Sequence, residues 1–139
     1  MHHLIYVSSA SHLMSDVELK DLLVTCRTRN TADSITGMLL YKDGSFMQLL
    51  EGEEDRILQT YERIGRDRRH SGLITLREGP LVERNCQGWS MGFRSVNSAE
   101  LESLPGFARL GHQTFTSPAF TEKPHIAIKM LNTFHRTTR

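Results

Sequence analysis

The stretch SITGMLLYKDGSFMQLL, residues 34–50, predicts a β-hairpin. Its two apolar, strand-like runs, Ile35–Tyr41 and Phe46–Leu50, are joined through the sequence KDGS. Asp43-Gly44 suits a type I′ turn, in which both central residues need a positive φ. Gly52 then closes the second strand. The fold therefore contains at least one pair of antiparallel strands.

The segment before the hairpin predicts a strand followed by a helix. His3–Ser9 contains the apolar run LIYV, which is typical of a central strand covered on both faces. Ser15 and Glu18 form a capping box, and Met14 and Leu19 stand where a hydrophobic staple would place them. The apolar stripe of this helix consists of Leu19, Leu22, Leu23 and Cys26, and it ends near Asn30.

The segment after the hairpin predicts a second helix and two further strands. The acidic residues 53–55 open the helix, and its apolar stripe consists of Ile57, Leu58, Tyr61 and Ile64. Leu73–Leu76 indicates a fourth strand, and the alternation of Trp89, Met91 and Phe93 with small residues indicates a fifth. The order βαββαββ predicts a ferredoxin-like α/β sandwich of the α+β type. It has a five-stranded mixed sheet and two helices on one face.

The composition changes after Asn97, so we divide the chain into a domain of residues 1–96 and an extension of residues 97–139. Ser98–Leu104 predicts a short helix capped by Ser98, and Pro105–Pro124 is typical of a loop. A last helix is expected over Ile126–Phe134, beginning near Pro124. Its apolar stripe (Ile126, Met130, Phe134) is weak, so we expect the tail to need a partner surface to become ordered.

Composition and charge favour a cytoplasmic protein of one domain. The chain has 139 residues, a formal net charge of +1 and an apolar fraction of 38%. This balance argues against a nucleic-acid or membrane partner, and the N-terminus lacks the regions of a signal peptide. The two cysteines, Cys26 and Cys86, lie far apart, as expected for reduced thiols. The scattered histidines predict no metal site, and the absence of phosphate-binding fingerprints gives no support for an enzyme.

Three polar residues fall where the pattern predicts core: Tyr6, Gln48 and Asn30. A buried carboxamide without partners destabilises a protein by about 1–3 kcal/mol for each unsatisfied group. Such residues can satisfy one another or cap nearby backbone groups. A phenol and two amides on one face also suit a planar heteroaromatic ligand, such as the edge of an isoalloxazine ring.

Five separated segments together resemble the BLUF domain family of blue-light sensors that use flavin. They are LIYVS (4–8), RN (29–30), ITGMLLY (35–41), FMQLLEG (46–52) and WSM (89–91). They occur in the order of the family's motifs and cover about residues 2–95. The resemblance implies a non-covalently bound FAD, with FMN or riboflavin as alternatives.

The resemblance also implies roles for individual residues. Tyr6 and Gln48 match the photoactive pair, in which the Gln48 amide rearranges after excited flavin draws an electron and a proton from Tyr6. Trp89 and Met91 match a pair that can exchange places near Gln48, and the sequence leaves open which of them faces the flavin. The remaining flavin contacts implied are Ser8, Arg29, Asn30, Ile35, Arg63, Arg69 and His70.

The resemblance implies a stand-alone photoreceptor and not an enzyme. Its signal would pass to an unidentified downstream protein through the fifth strand and the C-terminal segment, and we expect a homo-oligomer. The rival interpretation is a cofactor-free ferredoxin-like interaction module in which Tyr6, Gln48 and Asn30 are satisfied core residues. A third interpretation is a flavin-using redox enzyme, although the sequence offers no obvious acid or base for a substrate beyond the Tyr6–Gln48 pair.

Overall fold

Five strands of the described chain form one mixed sheet, flanked by helices. The structure, a computed structural model, describes residues 1–103 and 114–137. The strands are β1 (His2–Ala10), β2 (Thr36–Lys42), β3 (Ser45–Gly52), β4 (His70–Pro80) and β5 (Gly92–Ser95). The helices are α1 (Asp16–Ala32), α2 (Glu54–Gly65), α3 (Ser98–Ser103), α4 (Pro118–Thr121) and α5 (Pro124–Thr137). The predicted βαββαββ order and the five-stranded α+β architecture are confirmed.

The strand order across the sheet is β4-β1-β3-β2-β5. Strand β2 pairs with β5 in parallel, and the other neighbouring strands are antiparallel. The hairpin forms as predicted, because Asp43 and Gly44 both adopt positive φ, at 47° and 83°. Strand β1 lies between β3 and β4, and its apolar run is covered on both faces, because Leu4 and Tyr6 belong to the core on one face and Ile5 and Val7 to the core on the other.

Helices α1 and α2 cover one face of the sheet, which we call the helical face. The predicted capping box starts α1: Glu18 N donates to Ser15 Oγ, and Ser15 N donates to Glu18 Oε1, both at 3.2 Å. The core on this face joins Leu4 and Leu50 of the sheet to Leu23 of α1 and Ile57 of α2. Burial of such side chains contributes about 1.5–3 kcal/mol each.

The C-terminal part of the chain covers the opposite, or second, face of the sheet. The core on that face joins sheet residues to five residues of the tail, namely Phe115, Phe120, Ala127, Met130 and Leu131. The expectation that the tail needs a partner surface is therefore wrong. The buried stripe of α5 is formed by Ala127, Met130 and Leu131, whereas Ile126 is only half-buried.

Four local predictions differ from the structure. Strand β5 begins at Gly92, because a turn closed by Trp89 N donating to Cys86 O at 2.9 Å interrupts the predicted alternation. Leu58 of α2 is 43% exposed. Asn97, rather than Ser98, caps α3, since Glu100 N donates to Asn97 Oδ1 at 2.8 Å. Of the predicted loop 105–124, residues 118–121 form α4, whereas residues 104–113 lie outside the described chain.

Candidate functional site

A cavity opens between α1, α2 and the helical face of the sheet. The space between its walls, including its mouth, is about 660 Å³. Fifteen residues line it, with apolar walls and polar groups interspersed: Tyr6, Leu22, Thr25, Cys26, Arg29, Asn30, Leu39, Phe46, Gln48, Thr60, Arg63, Ile64, Asp67, Arg69 and His70. Pockets of this mixed character are typical of small-molecule sites.

Tyr6 and Gln48 form a hydrogen-bonded pair in the wall of the cavity. They are direct partners in the β1–β3 register, so their side chains lie on the same face of the sheet. The Tyr6 hydroxyl donates to Gln48 Oε1, and both residues are buried. Burial raises the pKa of the Tyr6 phenol well above its usual value, and nearby Cys26 and Tyr61 contribute. Tyr6 therefore carries its proton and is a hydrogen-bond donor.

Gln48 also contacts Met91, which lies just before β5. Gln48 Nε2 donates to Met91 Sδ over 3.4 Å, and Met91 is 2% exposed within the core of the helical face. Trp89 packs instead against the core of the second face. The side chains of Trp89 and Met91 therefore lie on opposite faces of the sheet. They do so after a turn at residues 86–89, in which Gly88 has a φ of 83°. Met91 is thus the member of the pair beside Gln48.

Three successive carbonyl groups before β5 are held by other elements. The Trp89 oxygen accepts from Gly37 N of β2 at 3.1 Å. The Ser90 oxygen accepts from Asn30 Nδ2 at 2.8 Å, and the Met91 oxygen accepts from Arg27 Nε at 2.9 Å. Asn30 is buried and lines the cavity, so it connects the site to this segment. The backbone of residues 89–91 is therefore fixed to α1 and to β2.

Charged groups lie along the part of the cavity formed by α2 and the start of β4. Arg69 pairs with Asp67, and these hydrogen bonds lower the pKa of the Asp67 carboxyl. Arg63 lies 3.8 Å from the Asp33 carboxyl and is partly exposed. Arg29 is exposed at the end of α1 and also lines the cavity. Guanidinium groups of this kind suit a phosphate-bearing ligand.

His70 is held in one tautomer by its two neighbours. His70 Nε2 lies 2.6 Å from the Ile64 carbonyl oxygen, which only accepts, so this nitrogen carries the proton. In the neutral form of the ring, His70 Nδ1, 2.8 Å from Ser8 Oγ, accepts from the hydroxyl. Both nitrogens are therefore occupied within the protein, and His70 presents its ring to the cavity beside Tyr6 and Phe46.

The structure brings most of the sequence-derived site residues to one cavity. Seven of them line it, namely Tyr6, Arg29, Asn30, Gln48, Arg63, Arg69 and His70. Ser8 lies buried against His70, and Ile35 lies in the core of the helical face. Their roles toward a flavin stay predictions.

Sequence reasoning did not assign the other lining residues. They are Leu22, Thr25, Cys26, Leu39, Phe46, Thr60, Ile64 and Asp67. The spacing of Leu22, Cys26 and Asn30 on one helical face was a usable signal. Thr60 carried none, because it falls outside the apolar stripe predicted for α2.

The lining residues fit a flavin. Apolar side chains suit the ring system, the Tyr6–Gln48–Asn30 set suits its nitrogen and oxygen atoms, and arginines suit a phosphate. Thr60 also lines the cavity, and its hydroxyl oxygen is buried with no hydrogen-bond partner among the described residues. Within the described ranges, 1–103 and 114–137, no cluster of metal-binding side chains occurs, and no helix has the length and apolarity that crossing a membrane demands.

Comparisons with known proteins find similarity over most of the chain. The family described as "BLUF: Sensors of blue-light using FAD" matches residues 1–92. Photoactivated adenylate cyclase subunit beta of Euglena gracilis is 42% identical over 81 residues, or 58% of this chain. The match spans only 9% of that relative, so the chain corresponds to a small part of it.

Two solved structures are similar over nearly the whole chain. The photo-activated state of BlsA has a TM-score of 0.79 and 29% identity, covering 96% of this chain and 94% of BlsA. The dark state of BlrB, a BLUF protein, has a TM-score of 0.71 and 27% identity, covering 93% and 95%. Together with the buried Tyr6–Gln48 pair, the family match over residues 1–92 establishes that the chain belongs to the BLUF family of blue-light sensors using flavin.

Proposed function

We propose that this chain binds FAD non-covalently in the cavity between α1 and α2 and signals blue light by rearranging hydrogen bonds, without catalysing a reaction. The observation that carries the proposal is the buried chain of contacts from Tyr6 through Gln48 to Met91 in the cavity wall. FAD is named in the description of the family, and the arginines of the lining suit its phosphates. FMN and riboflavin share the same ring, so either can occupy the site.

A bound flavin supplies absorption of blue light and an excited state that accepts an electron. Tyr6 is the donor, because its neutral phenol already shares its proton with Gln48 Oε1. With a flavin bound, Tyr6 would give up an electron and a proton and would take both back, so the protein would undergo no net redox change. The Gln48 carboxamide has one acceptor and two donors, and it can therefore settle in a different arrangement when the proton returns.

The rearranged amide no longer donates to Met91 Sδ in the same way. Residues 89–91 precede β5 and are held by Arg27, Asn30 and Gly37. We infer that the change at Met91 passes along this segment to β5 and to the extension of residues 97–139. Light then acts as a ligand does, shifting a population between two arrangements.

The receiver of the signal is a downstream protein or effector domain, and the extension provides the contact. This fits relatives that are photoactivated adenylate cyclases. We further propose that the chain forms a homo-oligomer and works in the cytoplasm, with neither nucleic acid nor a membrane as a partner, as its formal net charge of +1 favours.

The test is the visible absorption spectrum of the purified chain, in the dark and then under blue light, after incubation with FAD, FMN or riboflavin. A flavin spectrum that moves reversibly to longer wavelength without bleaching supports the proposed mechanism. A bound flavin that only bleaches favours a redox enzyme. Failure to bind any of the three flavins would favour an interaction module.

A further inference from the structure

We infer that the hydroxyl group of Thr60 binds a polar atom of the flavin, an inference that rests on the flavin site proposed above. Thr60 lies on α2, is 2% exposed and lines the cavity. Its Oγ1 atom is buried without a hydrogen-bond partner anywhere in the part of the chain that the structure describes. Arg63 and Ile64, one turn further along α2, line the same cavity.

The state of Thr60 differs from that of other helical threonines in this chain. Thr25, Thr28 and Thr133 each donate their hydroxyl to the carbonyl four residues earlier, at 3.2, 2.9 and 2.9 Å. This back-bonding is the usual way in which a helix satisfies a threonine. Thr60 is the most buried of the four, so an unused hydroxyl destabilises the protein most at this position.

A ligand in the cavity removes this cost. A threonine hydroxyl both donates and accepts, so it can bond either a ring oxygen or nitrogen or a ribityl hydroxyl of a flavin. The hydroxyl is thus poorly placed for the flavin-free protein and well placed for the complex, which makes Thr60 a binding residue rather than a packing residue.

The experiment uses Thr60→Val, which keeps the shape of the side chain and removes the hydroxyl, with Thr60→Ser as the variant that keeps it. Each full-length chain, freed of flavin, is titrated with riboflavin and with FAD, and quenching of flavin fluorescence gives the Kd. We expect T60V to raise the Kd about tenfold, which corresponds to about 1.4 kcal/mol. T60S should stay within about threefold of the parent chain.

The same variants give a second readout that does not depend on binding. T60V should raise the melting temperature of the flavin-free chain, because it removes an unsatisfied buried group. A hydroxyl that matters only for the fold would make T60V less stable. Thr28→Val is the matched control, since its hydroxyl bonds the Val24 carbonyl away from the cavity, and it should leave the Kd unchanged.

Three results overturn the inference: a Kd for T60V equal to that of the parent, an equal loss for T60S and T60V, or a flavin-free T60V that is less stable than the parent. These results differ from a failure of the proposed function. In that case the parent chain itself binds neither riboflavin nor FAD.

Discussion

Met91 and Gln48 are joined by a hydrogen bond from Gln48 Nε2 to Met91 Sδ, over 3.4 Å. Met91 is also bound through its backbone, where its carbonyl oxygen accepts from Arg27 Nε at 2.9 Å. The residue therefore links strand β3, which carries Gln48, to helix α1. A change in the Gln48 amide therefore acts on the segment of residues 89–91, whose backbone is held by hydrogen bonds from α1 and β2.

Gln48→Leu should leave flavin bound but abolish the photoresponse. Leucine has a similar volume but can neither accept from Tyr6 nor donate to Met91. The check is the light-minus-dark difference spectrum of the flavin-loaded chain. Gln59→Leu is the control, since Gln59 is exposed on α2 and should respond normally. A normal difference spectrum in the Gln48 variant would sink the assigned role.

Tyr6→Phe should likewise bind flavin and lose the photoresponse, because phenylalanine has no hydroxyl to donate to Gln48 Oε1. The matched control is Tyr61→Phe. The Tyr61 ring centroid lies 5.3 Å from that of Tyr6, but its hydroxyl bonds Thr75 Oγ1 instead. Both variants are compared by the amplitude of the reversible spectral shift. Equal amplitudes in the two variants contradict Tyr6 as the donor.

Met91→Leu should still give the shifted spectrum but return to the dark state a few times more slowly. Leucine fills the volume of methionine without a sulfur acceptor, so Gln48 Nε2 loses a weak partner of the dark arrangement. In the leucine variant, formation of the bond from Gln48 Nε2 to Met91 Sδ no longer favours the return to the dark state. The measurement is the dark recovery rate after a blue pulse, with Met47→Leu on the second face as control. Recovery at the parental rate counts against a role for the sulfur.

The elements that sequence predicted well are those fixed by local chemistry. Asp43-Gly44 determines its turn through backbone dihedrals, and the capping box at Ser15 fixes the start of α1. The polar residues Tyr6 and Gln48 stood out because each interrupts an apolar strand. These signals lie within a few residues of the feature they specify.

The elements that sequence missed depend on distant partners. Trp89 was placed in β5, but the turn at residues 86–89 is held by contacts with β3. The sequence does not predict Thr60 in the cavity, because its burial depends on how α2 packs against strands β1, β3 and β4. The sequence predicts that the tail needs the surface of a partner to become ordered. In the structure its apolar residues pack instead on the second face of the chain's own sheet.

Glu51→Gln should destabilise the segment that leads to Met91. Glu51 is fully buried and accepts from Asn85 N at 2.7 Å, Cys86 N at 2.9 Å and Thr36 Oγ1 at 3.1 Å. A glutamine replaces one accepting oxygen with an NH₂ group that faces donors, at a cost of about 1–3 kcal/mol. Urea unfolding measures the loss. Glu53→Gln is the control, because Glu53 is exposed, and an equal effect of both variants contradicts the role of Glu51.

Stability should fall as the pH rises above about 9. Burial raises the pKa of the Cys86 thiol from 9.0 to about 12, with a contribution from Glu51, and burial raises the pKa of the Tyr6 phenol above 10.0. In the unfolded chain these two groups lose their protons at their ordinary pKa values. Above those pH values the unfolded chain therefore binds fewer protons than the folded chain. The stabilisation is therefore complete below about pH 9 and declines toward the folded pKa values, by about 1.4 kcal/mol per pH unit for each group.

Urea unfolding at pH values from about 8 to about 10 checks this dependence, and Cys86→Ala isolates the part due to the thiol. The alanine variant loses some packing at every pH, because Cys86 is 1% exposed. Between about pH 9 and 10, however, its stability should fall less steeply than that of the parent chain, because both chains keep Cys26 but only the parent also has the Cys86 thiol, which loses its proton in the unfolded state and keeps it in the folded state. Parallel pH profiles for the two chains would show that the buried thiol does not carry the effect.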